Sequence, residues 1–145
     1  MNAPNLYRWL PNHLYPIFYP AGLLWATAII FLFATSVYKS PARLTPRLMV
    51  ELALLSVLLM VYFLPKMHDR YFFAADILSI IFAFYFPPYF FIPIVISLVS
   101  FFSYFPFLFG FEIIPLSLLA LVQLIIIIIL SRHLAATLWV GETQV

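Results

Sequence analysis

The chain has 145 residues, of which 66% are hydrophobic and 8% charged, with a formal net charge of +2 and a mean hydropathy of +1.12. A soluble domain is about a quarter charged, and a soluble fold of this size could not bury so much apolar surface. The composition therefore predicts an all-α, polytopic membrane protein. The absence of cysteine excludes disulfides, and the small charge, with no Lys/Arg block, gives no support for nucleic acid binding.

About five segments are predicted to span a membrane, because a spanning helix needs about 20 apolar residues. Their approximate bounds, in chain order, are Ile17 to Tyr38, Leu48 to Leu64, Tyr71 to Phe86, Tyr89 to Phe109 and Ile113 to Leu130. Thr45-Pro46 is typical of a helix start, and Pro87-Pro88 predicts a tight hairpin between the third and fourth spans. We expect one domain: an outer-face N-terminal segment (1–16), a helical bundle (17–134) and a cytoplasmic tail (135–145).

The basic residues give a small bias in orientation, because Lys and Arg in short loops favour the cytoplasmic side. One predicted side holds Lys39, Arg43, Arg47 and Arg132, and the other holds Arg8, Lys66 and Arg70. The larger set is expected on the cytoplasmic side. The loop with Lys66 and Arg70 is then expected on the outer face.

That loop, Leu64-Pro65-Lys66-Met67-His68-Asp69-Arg70-Tyr71, is the densest polar cluster in an otherwise apolar chain. An arginine fork, an imidazolium and a lysine ammonium together suit a phosphate group. The alternative is that Lys66 and Arg70 are anchors that reach the interface with their charged ends. The chemistry leaves both interpretations open. No metal site is expected, since His13 and His133 are isolated and predicted on opposite faces, and no cofactor is indicated.

Two acidic residues fall inside predicted spans. Glu51 follows Arg47 by four residues, which favours a structural ion pair on one helix face over a proton relay. Asp76 lies inside the third span, about two turns from Asp69, so the two carboxylates share a stripe if the helix starts early. It is expected either to meet a cation such as Arg8 or to face a polar ligand cavity.

Neutral polar residues within the spans have a simpler interpretation. Ser100, Ser117 and Gln123 are expected to make ordinary hydrogen bonds between helices.

Two segments resemble a known family. Asn2-Ala3-Pro4-Asn5-Leu6-Tyr7-Arg8-Trp9-Leu10-Pro11 and Leu64 to Phe72 are similar to the C-terminal part of bacterial membrane mannosyltransferases of the GT-C superfamily. These are relatives of the second mannosyltransferase of glycosylphosphatidylinositol assembly. Family members typically have His-Glu-Arg-Tyr where this chain has His68-Asp69-Arg70-Tyr71, so Asp69 keeps the charge with a shorter reach.

The resemblance implies a polyprenyl-phosphate sugar as donor and transfer, of mannose in this family, on the outer face of a bacterial inner membrane. It implies that Lys66, His68 and Arg70 contact the donor phosphate, supported by Asp69, Tyr71 and Asp76. Family members are longer, and their catalytic carboxylate lies in an early outer loop. We therefore expect a fragment, a split-gene half or a subunit, which would act as an enzyme only when joined to an N-terminal membrane partner.

Two other functional classes are compatible with the sequence. One is a non-catalytic scaffold or accessory subunit, in which the cluster only anchors the protein at the interface. The other is a small transporter, which is less favoured because no internal repeat is evident and many transporters are built from paired halves.

Overall fold

The computed structural model describes residues 3–11 and 13–140 of the chain. The α-helices in this part are α1 (Tyr15–Lys39), α2 (Pro46–Phe63), α3 (Phe72–Tyr85), α4 (Phe91–Phe109) and α5 (Leu116–Val140). Short 3-10 turns occupy Leu6–Trp9, Asp69–Tyr71 and Pro87–Tyr89. The predicted all-α class is confirmed.

Four of the described helices, α1, α2, α4 and α5, are long and apolar enough to cross a membrane. Helix α3 has 14 residues. At 1.5 Å per residue it is about 21 Å long, which is less than the roughly 30 Å of bilayer hydrocarbon. Of the about five predicted spans, four correspond to described helices that are long and apolar enough to cross a membrane. The remaining one, predicted over Tyr71 to Phe86, corresponds to the shorter helix α3.

The helix starts and ends follow local chemistry in most places. Thr45 caps α2, because its side-chain oxygen accepts a hydrogen bond from the amide of Leu48 at 3.2 Å, and Pro46 is the first helical residue. The end of α5 differs from the prediction. The helix continues past Leu130 to Val140, because no glycine or proline occurs from Ser131 to Val140. Residues 135–140, expected in the tail, are thus helical, and 141–145 lie outside the described part.

Helix α2 is the centre of the bundle and packs on α1, α3 and α5, while α4 packs between α3 and α5. The core that they share contains Leu54, Leu58, Ile92, Ile96 and Leu130, each fully buried. Helix α1 lies at the edge and contacts chiefly α2. Only 11% of its apolar window is buried, against 44% for α2. Most of the α1 surface is therefore left uncovered by the rest of the chain.

Successive helices run in opposite directions, so the connections gather at two ends of the bundle. We call one the His68 end: it holds the start of α1, the loop 64–71 and the loop 110–115. The other is the Arg43 end, which holds the loop 40–45, the turn 86–90 and the last turns of α5. The basic residues divide between these ends as predicted.

Candidate functional site

The loop 64–71 leaves α2 and enters α3 through a backbone conformation that side chains rarely adopt. Lys66 has φ of 62°, and it is the described non-glycine residue with a positive φ. Such a conformation costs on the order of 1 kcal/mol or more and persists only where surrounding contacts enforce it. Pro65, directly before it, is buried, so the turn projects the exposed Lys66 from a fixed base.

Aromatic rings accompany the cations of this loop. The Lys66 ammonium lies 4.7 Å from the centre of the Tyr19 ring of α1, within the range of a cation–π contact. The Arg70 guanidinium lies 5.6 Å from the ring centre of Tyr71, and the His68 ring is 6.3 Å from the same ring. The loop therefore brings a lysine, an arginine and an imidazole to one end of the bundle, the last two beside Tyr71. Tyr19 was not among the predicted site residues.

The exposure of these groups bears on what they can bind. Lys66, His68 and Arg70 are exposed, and Tyr71 keeps 45% of its surface. The charged ends of these side chains are therefore accessible from solvent. The same exposure is compatible with the anchoring interpretation, since both uses need the charged ends at the bundle surface.

The carboxylates predicted to support the loop divide between two settings. Asp69 begins the 3-10 turn Asp69–Tyr71, and its side chain lies outside what the structure describes. Asp76 lies in the second turn of α3 and is half-buried. Its Oδ2 accepts a 2.9 Å hydrogen bond from the Ser100 hydroxyl of α4. The suggestion that Asp76 meets a cation such as Arg8 is wrong: its partner is a neutral hydroxyl.

Asp76 is more than a simple cross-link between α3 and α4. Its Oδ1 is buried, and among the described residues it has no hydrogen-bond partner. Ser100 does make the interhelical hydrogen bond expected of it. Oδ1 of Asp76 is therefore a buried hydrogen-bond acceptor that the described residues leave unused.

The N-terminal segment packs over the same end. Tyr7 is buried, and its hydroxyl donates a 2.8 Å hydrogen bond to the carbonyl of Phe63, the last residue of α2. Its ring lies against Gly22 of α1, where an added methyl group would come within 2.9 Å of the ring carbons Cε1 and Cζ. Tyr7 thus ties α1 to the end of α2 through a contact that Gly22 permits.

Arg8 and Glu112 bring further charge to the His68 end. Burial lowers the pKa of the Arg8 guanidinium below its usual value, and the negative charge of Glu112 acts in the opposite direction. Glu112 also accepts a hydrogen bond from the amide of Leu116 at 3.3 Å, at the start of α5. Glu112 thus acts on Arg8 through its charge and also caps the start of α5.

A different polar pair lies toward the Arg43 end. The Glu51 carboxylate of α2 is fully buried and lies 2.6 Å from Nδ1 of His133 on α5. The His133 ring also makes edge contacts with Phe86 and Tyr89, at 5.0 and 4.9 Å between ring centres. The four-residue spacing on the helix predicted Arg47 as the partner of Glu51 and gave no indication of His133. The prediction that His133 is isolated is wrong.

Two other buried polar side chains lack partners in the described part of the chain. The Tyr62 hydroxyl is buried without a hydrogen bond, and so are both amide atoms of Gln123. The expectation of an interhelical hydrogen bond for Gln123 is therefore wrong within residues 3–11 and 13–140. An internal amide of this kind normally bonds to ordered water when protein groups are out of reach.

Comparisons with known protein families, with curated protein sequences and with solved structures give no match. What the cluster at the His68 end can do must therefore come from its own residues and their geometry. The candidate site is an exposed basic loop at one end of a helical bundle, in which four of the described helices are long and apolar enough to cross a membrane.

Proposed function

We propose that this chain is a helical membrane module that binds the phosphate of a polyprenyl-phosphate sugar at its His68 end, as the donor-binding part of a GT-C-like glycosyltransferase. The observation that carries the proposal is the arrangement of Lys66, His68 and Arg70 on one exposed loop, with Lys66 held at a positive φ. Strained backbone of this kind concentrates at ligand-binding positions. The resemblance of His68-Asp69-Arg70-Tyr71 to the family motif supports the sugar-phosphate assignment.

Each cation contributes in a different way to holding such a phosphate. Arg70 offers two parallel N–H donors to the phosphate oxygens, and Lys66 adds a point charge. A protonated His68 adds a third donor. Positive charge arranged in advance stabilises the phosphate as it departs from the transferred sugar, which is mannose in the family it resembles. The proposal assigns donor binding to these residues and assigns them no catalytic carboxylate.

The proposal places the His68 end on the outer face of the membrane. The partition of basic residues between the two ends supports this orientation, because the Arg43 end carries the larger number. In a bacterium the membrane would be the inner membrane, where polyprenyl-phosphate sugars would meet the exposed loop.

The test is binding of a polyprenyl phosphate to the full chain in lipid nanodiscs, with the phosphate-free polyprenyl alcohol for comparison. Arg70→Ala should weaken phosphate binding about tenfold or more, since a charge-assisted hydrogen bond contributes about 1.5–3 kcal/mol. Binding of the alcohol should not change. Arg132→Ala, which removes an exposed arginine on α5, is the matched control. Unchanged phosphate binding in Arg70→Ala would leave only the anchoring interpretation of the loop.

A second candidate, an accessory subunit without catalytic function, is favoured by one observation. Helix α1 leaves most of its surface uncovered, including Leu24 and Trp25, which are 75% and 58% exposed. Site-directed photo-crosslinking from Leu24 in cells would distinguish the two candidates when combined with Lys66→Ala/Arg70→Ala. A specific protein adduct, with function retained in the double variant, supports the subunit. Lipid adducts alone, with function lost, support the phosphate-binding module.

A further inference from the structure

A groove between α1 and α2 opens at the Arg43 end, on the side of the bundle away from the His68 cluster. Its volume is about 710 Å³, and its walls come from residues 30–38 of α1 and residues 48–56 of α2. Leu138 of α5 also lines the groove, and the Ser40 hydroxyl donates a 2.8 Å hydrogen bond to its carbonyl. The groove remains open because several wall residues are small, Ala34 and Ala53 among them.

The length of the groove matches one leaflet of a bilayer. Each wall advances eight residues along its helix, which corresponds to about 12 Å at 1.5 Å per residue. The hydrocarbon of one leaflet is about 15 Å thick, half of the roughly 30 Å core. The lining is almost entirely aliphatic or aromatic, so an acyl chain lying along the groove would bury apolar surface on both sides.

Basic residues are chain neighbours of the residues that line the mouth of this groove. Arg43 stands between Ala42 and Leu44, and Arg47 directly precedes Leu48; these three apolar neighbours all line the groove. Both arginines are exposed, and neither forms an ion pair with the residues that the structure describes. Lys39 at the end of α1 is also exposed, and no acidic residue occurs from 39 to 50. Among the described residues, the positive charge at the mouth therefore has no ion-pair partner.

We propose that this groove binds one anionic glycerophospholipid of the leaflet at the Arg43 end, with its phosphate at Arg43 and Arg47 and an acyl chain along the groove. The proposal depends on the bundle spanning a bilayer but not on the lipid-phosphate site at the His68 end. Anionic lipid headgroups bind basic pockets between transmembrane helices on the cytoplasmic side. An apolar helix of another protein would also fill the groove, but it would not neutralise the positive charge of Arg43 and Arg47.

The test is native mass spectrometry of the full chain titrated with phosphatidylglycerol and with phosphatidylcholine of the same acyl chains. The wild type should retain one phosphatidylglycerol with at least about tenfold preference over phosphatidylcholine. Arg43→Gln/Arg47→Gln should reduce that preference to about twofold or less. Arg132→Gln, which removes an exposed arginine elsewhere on α5, is the matched control and should retain it. Equal loss in Arg132→Gln would overturn the proposal, because the attraction would then be general to the surface.

The acyl-chain half of the proposal has its own variants. Ala53→Phe and Ala34→Phe fill the groove from opposite walls and should lower the retention of both lipids about tenfold without removing a charge. Ala34 is exposed, so this second variant is tolerated by the fold even if Ala53→Phe is not. Full retention in Ala34→Phe would overturn the placement of the chain. Equal binding of free glycerol phosphate, or a co-purified polypeptide in place of lipid, would overturn the assignment of the ligand.

Discussion

Replacement of His133 by alanine removes the imidazole that lies 2.6 Å from the buried Glu51 carboxylate. A hydrogen bond to a charged group contributes about 1.5–3 kcal/mol, and breaking a buried pair by removing one partner costs about 3–5 kcal/mol. The His133 side chain is 22% exposed, so solvent can reach the site and the lower of the two ranges applies, at about 2 kcal/mol. Loss of the edge contacts with Phe86 and Tyr89 adds about 0.5–1.5 kcal/mol. We expect a total of about 3 kcal/mol.

The charge and the ring contacts can be separated by further variants. His133→Phe keeps an aromatic ring beside Phe86 and Tyr89 but loses the contact with the carboxylate, so it should be destabilised almost as much as His133→Ala. Replacing both members of the pair, as Glu51→Leu/His133→Leu, should restore stability to within about 1 kcal/mol of the wild type, because an apolar pair leaves no charge buried.

The assay is equilibrium unfolding in mixed micelles with increasing sodium dodecyl sulfate, followed by circular dichroism. Thr137→Ala is the control on the same helix, since the Thr137 hydroxyl donates to the carbonyl of His133 and, among the described residues, makes no bond to another helix. A His133→Phe variant as stable as the wild type would refute the reasoning, as it would show that the carboxylate does not depend on the imidazole. A double leucine variant less stable than either single variant would refute it too.

Two further contacts give predictions of stability in the same assay. Gly22→Leu should destabilise the bundle by about 1–3 kcal/mol, because the new side chain would displace the buried Tyr7 ring, whereas Ala21→Leu on the exposed neighbour should cost little. Equal stability of the two variants would mean that Tyr7 moves freely. Ser100→Ala should cost about 1.5–3 kcal/mol by removing the hydrogen bond to Asp76, and no change would indicate that Asp76 does not need this donor.

The parts of the fold that the sequence could predict depend on neighbouring residues. Thr45-Pro46 starts a helix because the capping side chain and the amide of Leu48 are three residues apart. Pro87-Pro88 separates α3 from α4 for a similarly local reason. The division of basic residues between two ends follows once the number of helices is known. The predicted fifth span ended at Leu130, just before the polar Ser131, whereas α5 continues through Ser131 without a break.

The parts that the sequence could not predict depend on how helices rotate against each other. Glu51 and His133 are 82 positions apart, and the four-residue spacing to Arg47 was the only rule available for Glu51. The Lys66–Tyr19 contact likewise joins separate helices, so a single sequence gives no signal for it. The groove between α1 and α2 depends on small residues that face each other across the two helices. The cluster of Lys66, His68 and Arg70 could be predicted because these residues lie within five positions of the chain.

The peripheral position of α1 has a consequence for the biogenesis of the protein. Two of the contacts that hold this helix come from residues synthesised after it: Lys66 against Tyr19, and the carbonyl of Leu138 with Ser40. Leu138 lies in the last turn of α5, so it is among the last of the described residues to be synthesised. These two contacts of α1 can therefore form only after the loop 64–71 and α5 have been synthesised.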